Sequence, residues 1–299
     1  MIATRLVAMS LFGIFNVNKP PGWTSRRAVN HIQRFVRPAK VGHAGTLDPL
    51  ATGVLLICVG PATRLVEYCH RLPKSYRATF LLGHQSPTDD TEVESEYLPD
   101  APKPTRAQIE AALLHFQGKI EQRPPLFSAV KIQGQRAYQI ARKGKQVELP
   151  MRVVTIHTID LITYAYPELV LDIKCSTGTY IRALGRDLAF SLNTAAVMSA
   201  LERTAIGNFQ IEDSLDLTKD SANNVSTVIR PPLEVLDSLP SVKLTPEQEL
   251  AIGHGQRVSL NLPEEASECV AINETGMVKA IVQLQTDGRY RAVQNFPNG

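Results

Sequence analysis

VGHAGTLDPLATGVLLICVG, residues Val41 to Gly60, decides how the rest of this 299-residue chain is read. Its second half, Val54-Leu55-Leu56-Ile57-Cys58-Val59, is a continuous apolar run rich in β-branched residues, which predicts a buried strand. Its first half places one carboxylate, Asp48, between a histidine and a set of glycines. Glycines at 42, 45 and 53 allow positive φ or a close approach to a ligand, and Pro49 biases Asp48 toward extended backbone. The stretch therefore reads as a loop that carries a held acid into the mouth of a sheet. A turn in which Asp48 caps the next element is the alternative reading of the same residues.

Charge singles out the region around this loop. From Met1 to Arg77 there are eleven Lys/Arg against two acids, Asp48 and Glu67, so this quarter carries +9 while the remaining 222 residues carry −6, within a total of +3. Such a field attracts phosphates and makes association salt-dependent, although a solvated basic face needs no ligand. Ala28–Val36 has helical apolar spacing, with Ser25 as cap and the arginines at 26, 27, 34 and 37 on its surface. Lys119 to Arg152 is a second basic element, with eight Lys/Arg, two acids, prolines at 124 and 125 and glycines at 134 and 144. It reads as a loop-rich insertion with a short helix at Tyr138, Ile140 and Ala141, or as a charged surface hairpin.

The rest of the chain alternates strands and helices. Tyr76–Leu82 alternates as a strand ending at Gly83, a helix with Thr105 as a cap and apolar residues to Phe116 on one face ends at Gly118, and Val153–Ile162 and Leu169–Cys175 are strands. Arg182 starts an amphipathic helix carrying Leu184, Leu188 and Leu192; on that pattern alone Arg182 is a surface cation. Ile211 to Pro240 shifts to Asp, Ser, Asn and Pro, which marks a boundary, and Ser241 to Gly299 alternates short apolar runs with glycine turns. The expected layout is a large domain over 1–240 and a small β-barrel-like domain over 241–299.

Composition narrows the chemistry. A 43% hydrophobic content supports a full core, Met1–Phe12 lacks a signal-type apolar run, and no stretch is long enough to span a membrane, which points to the cytoplasm. Cys58, Cys69, Cys175 and Cys269 form no Cys-x-x-Cys pair, so a zinc ribbon and a disulfide framework are both disfavoured. There is no Gly-x-Gly-x-x-Gly, no P-loop and no metal-ligand motif, so no cofactor and no metal are expected.

GHAGTLDPLATGVL resembles the catalytic motif of the TruB family of tRNA pseudouridine synthases. The resemblance extends to NVNKPPGWTS at Asn16–Ser25, KSYRATFLLG at Lys74–Gly83, RPPLFSAVKIQGQRAYQIARKG at Arg123–Gly144 and CSTGTYIRALGRDL at Cys175–Leu188, in the family's order. It implies an α+β fold with a mixed, mainly antiparallel sheet flanked by helices, the pseudouridine synthase fold, followed by a PUA-type RNA-binding domain. It also implies that the insertion at about 119–152 is a thumb that closes on RNA, and that uridine 55 in the T arm of tRNA is isomerised by a monomer. By the same resemblance Asp48 is the nucleophile or base, Arg182 its partner and Tyr76 a base-stacking catalytic residue. His43, Tyr180, Leu201 and Lys19 contact the flipped-out nucleotide or lie beside it.

Two departures stand against the family pattern. SPTDDTEVE at Ser86–Glu94 replaces the usual Thr-Asp-Thr stretch, which leaves Asp89 and Asp90 without a role, and Glu202 stands before Arg203 where two arginines are usual. Two rival classes remain at this point. One is a uridine methyltransferase, which needs a reactive cysteine. The other is a tRNA-binding protein that assists folding without chemistry.

Overall fold

A computed structural model describes residues 11–125, 131–132, 135–136, 149–219, 228–262 and 266–296. The short helix read at Tyr138–Ala141 lies outside these residues, as does most of the basic insertion. In chain order, β1 is Gly13–Lys19, α1 Ser25–Val36, β2 Val41–Ala44, β3 Thr52–Val59, α2 Val66–Arg71 and β4 Lys74–Leu82. Then come α3 Arg106–Leu113, β5 Gly118–Gln122, β6 Arg152–Ala165, β7 Glu168–Cys175, α4 Ile181–Ser191, β8 Ala196–Ile206 and β9 Leu215–Asp216. The last elements are β10 Ser241–Lys243, α5 Pro246–Gly253, β11 Glu268–Ile272, β12 Val278–Leu284 and β13 Tyr290–Asn295.

These elements fall into two compact units, one of residues 1–48, 55–70 and 208–299 and the other of residues 49–54 and 71–207. In the first unit β9, β1 and β3 lie side by side, and β2 pairs antiparallel with β3 from Val41–Val59 to Ala44–Leu56. The apolar run of β3 is wholly buried, as its sequence requires. Helix α1 turns Ala28, Val29, Ile32 and Val36 into the core. Its cap is Thr24, whose hydroxyl accepts the Arg27 N–H at 3.1 Å, and not Ser25. Ser25 is already helical and its hydroxyl is used elsewhere.

The C-terminal strands of the first unit form an open sheet in the order β10-β11-β12-β13, and among the described residues they do not close into a barrel. Leu244, Ile252, Val258, Cys269 and Tyr290 give this sheet a core of its own. Tyr68 Oη donates to Glu268 at 2.8 Å and Arg64 Nη1 to the Asn295 carbonyl at 2.8 Å, which ties the sheet to the N-terminal part of the same unit.

In the second unit the order is β8-β4-β7-β6-β5, antiparallel throughout. The first two residues of β3 run parallel to β8, where Gly53 takes φ +98 with room for no side chain: a Cβ would stand 2.3 Å from the Arg203 carbonyl oxygen. Helix α3 is shorter than its sequence pattern, because a 3₁₀ turn over Leu114–Phe116 takes the last residues and leaves Leu114 exposed. Helix α4 packs on β4 through Gly185, where a Cβ would lie 2.1 Å from the Phe80 ring. Gly185→Ala is therefore expected to lower stability by roughly 1–3 kcal/mol through overpacking, read by thermal melting. An unchanged melting temperature would show that α4 can lift off the sheet freely.

Candidate functional site

The first unit holds Lys19, His43 and Asp48. Asp48 is half-buried and follows Leu47, whose backbone is clamped by the hydroxyl of Ser25. That oxygen donates to the Leu47 carbonyl at 3.2 Å and accepts the Leu47 N–H at 2.9 Å. The hydroxyl read as a helix cap is thus the anchor of the acidic loop. His43 lies on β2 opposite Ile57 of β3, five residues before the acid. Lys19 ends β1 and is fully buried, with its ammonium donating to the carbonyls of Pro20 at 3.1 Å and Trp23 at 2.6 Å. These bonds stiffen the Pro-Pro-Gly turn.

The second unit holds Tyr76, Tyr180, Arg182 and Leu201. Tyr76 on β4 faces Ile173 of β7 on one side and Arg203 of β8 on the other, and Leu201 faces Ala78, two residues along. Directly opposed residues of antiparallel strands share a face, so Tyr76 and Leu201 lie on one side of the sheet. The opposite side carries Arg77, which is exposed and paired with Asp172 at 2.7 Å. Tyr180 caps α4, and its backbone is held at both polar atoms by Gln122, itself 1% exposed. The Tyr180 N–H donates to Gln122 Oε1 at 2.8 Å, and Gln122 Nε2 donates to the Tyr180 carbonyl at 3.0 Å. No local pattern in the sequence announces Gln122.

Arg182 is 7% exposed, which removes the surface-cation reading. Its Nη1 donates to the Thr88 carbonyl at 2.9 Å and stands 3.2 Å from Asp90 Oδ2. Asp90 is 2% exposed, and its other oxygen accepts the Thr88 hydroxyl at 2.6 Å and the Glu92 N–H at 3.1 Å. A buried guanidinium thus meets a carboxylate whose position is fixed by two further donors. The preceding residue, Asp89, sits at φ 58 and pairs with Arg186 at 3.0 Å. Burial nevertheless pushes the Asp89 carboxyl above the usual carboxylate range, outweighing the lowering by Arg186 and Arg182. Asp187 is raised by burial in the same way. The Asp-Asp pair that sequence left without a role therefore supplies a partner to each of two arginines on α4. On the far side of the acidic loop, Glu92 accepts the Leu50 N–H at 3.0 Å.

Cysteine chemistry finds no support. Burial lifts the Cys175 thiol to about 11, and the Cys58 thiol is raised by its hydrogen bond to Cys69, Sγ to Sγ 3.9 Å, and by burial. A thiol held protonated is a poor nucleophile, so the methyltransferase alternative loses its essential group. Among the described residues no group of three His, Cys, Asp or Glu side chains is placed to hold a metal ion, and no helix is long and apolar enough to cross a membrane.

Comparison with known proteins places the chain in a family. The family model described as TruB family pseudouridylate synthase (N terminal domain) matches residues 33–181. A tRNA pseudouridine synthase B of Trichormus variabilis is 41% identical over 281 residues, covering 92% of this chain and 95% of the relative. One of Phocaeicola vulgatus is 45% identical over 67% of this chain and 88% of its own length. In three dimensions the chain superposes on one from a crystallised Cbf5-Nop10-Gar1 complex with a TM-score of 0.74 at 24% identity, covering 97% of this chain and 86% of that one. The protein is a pseudouridine synthase, an isomerase of uridine in RNA. Within that class the chain belongs to the TruB family.

Proposed function

We propose that this enzyme converts uridine to pseudouridine in the T arm of tRNA, at position 55, with Asp48 as the carboxylate that acts on the flipped-out nucleoside. The relatives that match nine-tenths of the chain carry the name tRNA pseudouridine synthase B, which supports tRNA as the substrate. The observation that carries the reading is the clamp on the Asp48 loop. A buried hydroxyl with both hydrogen-bonding capacities spent on Leu47 fixes the residue beside the acid, as a positioned nucleophile or base requires.

The isomerisation breaks the bond between ribose C1′ and uracil N1 and forms one from C1′ to C5. C5 loses its proton and N1 gains one, so no electrons leave or enter. Asp48 serves as nucleophile or base in this exchange. Arg182, held by Thr88 and Asp90, is the proposed charge partner of the Asp48 carboxylate. Tyr76 stacks on the extruded base beside the apolar wall of Leu201, which offsets the few kcal/mol that unstacking costs. His43 and Tyr180 hold the nucleotide, with the backbone of Tyr180 set by Gln122. Lys19 acts through the turn it stiffens.

Residues 241–299 are proposed to add RNA contacts as a small PUA-like domain, and the basic segment at 119–152 to close on the substrate. Lys143 and Lys145, the cations expected to carry that closure, lie outside the described residues.

The test is incubation with an unmodified tRNA transcript, without cofactor or metal, followed by chemical mapping of pseudouridine. A single product at position 55 is expected, and binding without any product would support the folding-assistant reading instead. Activity is expected to persist in EDTA, since the proposed chemistry uses only carboxylate, guanidinium and aromatic groups. A loss that zinc or magnesium restored, with the tRNA fold shown to be intact, would contradict it.

A further inference from the structure

Outside the catalytic constellation, the exposed face of α1 is the strongest unexplained feature. Trp23, Arg26, Arg27, Asn30, His31 and Arg34 line a concavity of about 620 Å³ in the first unit. Several exposed arginines elsewhere are ion-paired: Arg77 with Asp172 at 2.7 Å, Arg106 with Glu110 at 2.7 Å, Arg257 with Asp287 at 2.8 Å. Among the described residues no carboxylate is paired with Arg26, Arg27 or Arg34. Asp216, which precedes the lining residues Leu217 and Thr218 in the chain, is already engaged by Thr218 at 2.6 Å and Lys219 at 3.3 Å. Three arginines without counter-ions around one hollow make a site for anions.

We propose that this concavity binds the phosphate backbone of the RNA strand flanking the target nucleotide, a contact that rests on the RNA-modifying reading above. Three observations favour RNA. The Arg27 guanidinium lies over the Trp23 ring at 4.3 Å, a stack that orients its plane without using its N–H donors. Trp23 is itself held, by the His31 ring at 5.6 Å and by the Lys19 ammonium on its carbonyl at 2.6 Å. The wall is therefore rigid before any ligand arrives, which lowers the ordering cost of binding. Finally, Ser25, two residues beyond Trp23, clamps Leu47 next to Asp48. A strand whose target uridine sits at Asp48 is thereby within reach of the face of α1 that begins at Ser25.

The experiment measures binding of a T-arm RNA hairpin to the full chain across a salt series, for wild type and for Arg27→Gln/Arg34→Gln. Both positions are exposed, so the fold is expected to survive, and a melting curve verifies this. The double variant should bind roughly tenfold more weakly at low salt, and the slope of log K against log salt should shrink by about 1.4 to 1.8 for two lost phosphate contacts. The KM for the hairpin should rise while kcat moves less than twofold. Arg106→Gln, which removes a cation already paired with Glu110, should change neither slope nor affinity. A double variant with the wild-type slope, or with reduced kcat and unchanged affinity, would overturn the assignment. If wild type binds the hairpin and the double variant loses slope, yet no pseudouridine forms, the concavity stands and the catalytic reading fails.

Discussion

Asp48→Asn is expected to reduce pseudouridine formation by roughly a thousandfold or more at saturating tRNA, while affinity for tRNA stays within about tenfold. Asparagine has the shape of the aspartate and can neither attack as an anion nor accept a proton. The loop should not re-aim, because backbone groups on both sides of the acid are anchored. Ser25 holds Leu47 on one side of the acid and Glu92 holds the Leu50 N–H on the other. Affinity should change little because Asp48 is one of only two acids among the first 77 residues, which carry eleven cations. Neutralising it removes a repulsion toward phosphate and no attraction. Single-turnover assays with mapped product check the rate, and filter binding checks the affinity. Measurable wild-type-like turnover by Asp48→Asn would sink the assignment of the acid, whereas a large loss of affinity would mean the loop had moved.

What could be read from the sequence and what could not divides along one physical line. Local signals were legible: the apolar run of β3, the alternation of Tyr76–Leu82 within β4, and the Thr105 cap of α3, which the structure completes with a capping box through Gln108. Local ambiguity produced the small errors. Thr24 and Ser25 are both good caps, and only the fold decides that Thr24 takes the helix while Ser25 faces a loop twenty-two residues away. The supporting residues of the site were illegible because their partners are remote. Gln122 grips a backbone fifty-eight residues on, and Asp90 meets an arginine ninety-two residues on. Nothing in the spacing of a polar loop says that one of its two aspartates is 2% exposed. The family resemblance pointed at Arg182 and passed over Asp90, since the match weakens at that stretch.

That buried pair supports the second large effect, in which Arg182→Lys should fail nearly as badly as Arg182→Met, at about a hundredfold or more in rate. The guanidinium already directs one nitrogen to the Thr88 carbonyl and the Asp90 carboxylate, at 2.9 and 3.2 Å. The proposed hold on Asp48 relies on donors lying in that same rigid plane. A lysine ammonium is a single point on a flexible stem. It can satisfy Asp90 or reach onward, but it cannot hold both groups in fixed geometry. Asp90→Asn separates the structural share from the catalytic one. It keeps an oxygen for the Thr88 hydroxyl and the Glu92 N–H but removes the buried negative charge 3.2 Å from the guanidinium, a loss of roughly 3–5 kcal/mol for a pair this dry. Both melting temperature and rate should drop. In Arg182→Met/Asp90→Asn both buried charges are gone, so melting should recover most of the way while the rate stays low. Recovery of both would make the pair purely structural. A lysine variant with near-native rate would show that positive potential alone suffices and that Arg182 does not position Asp48.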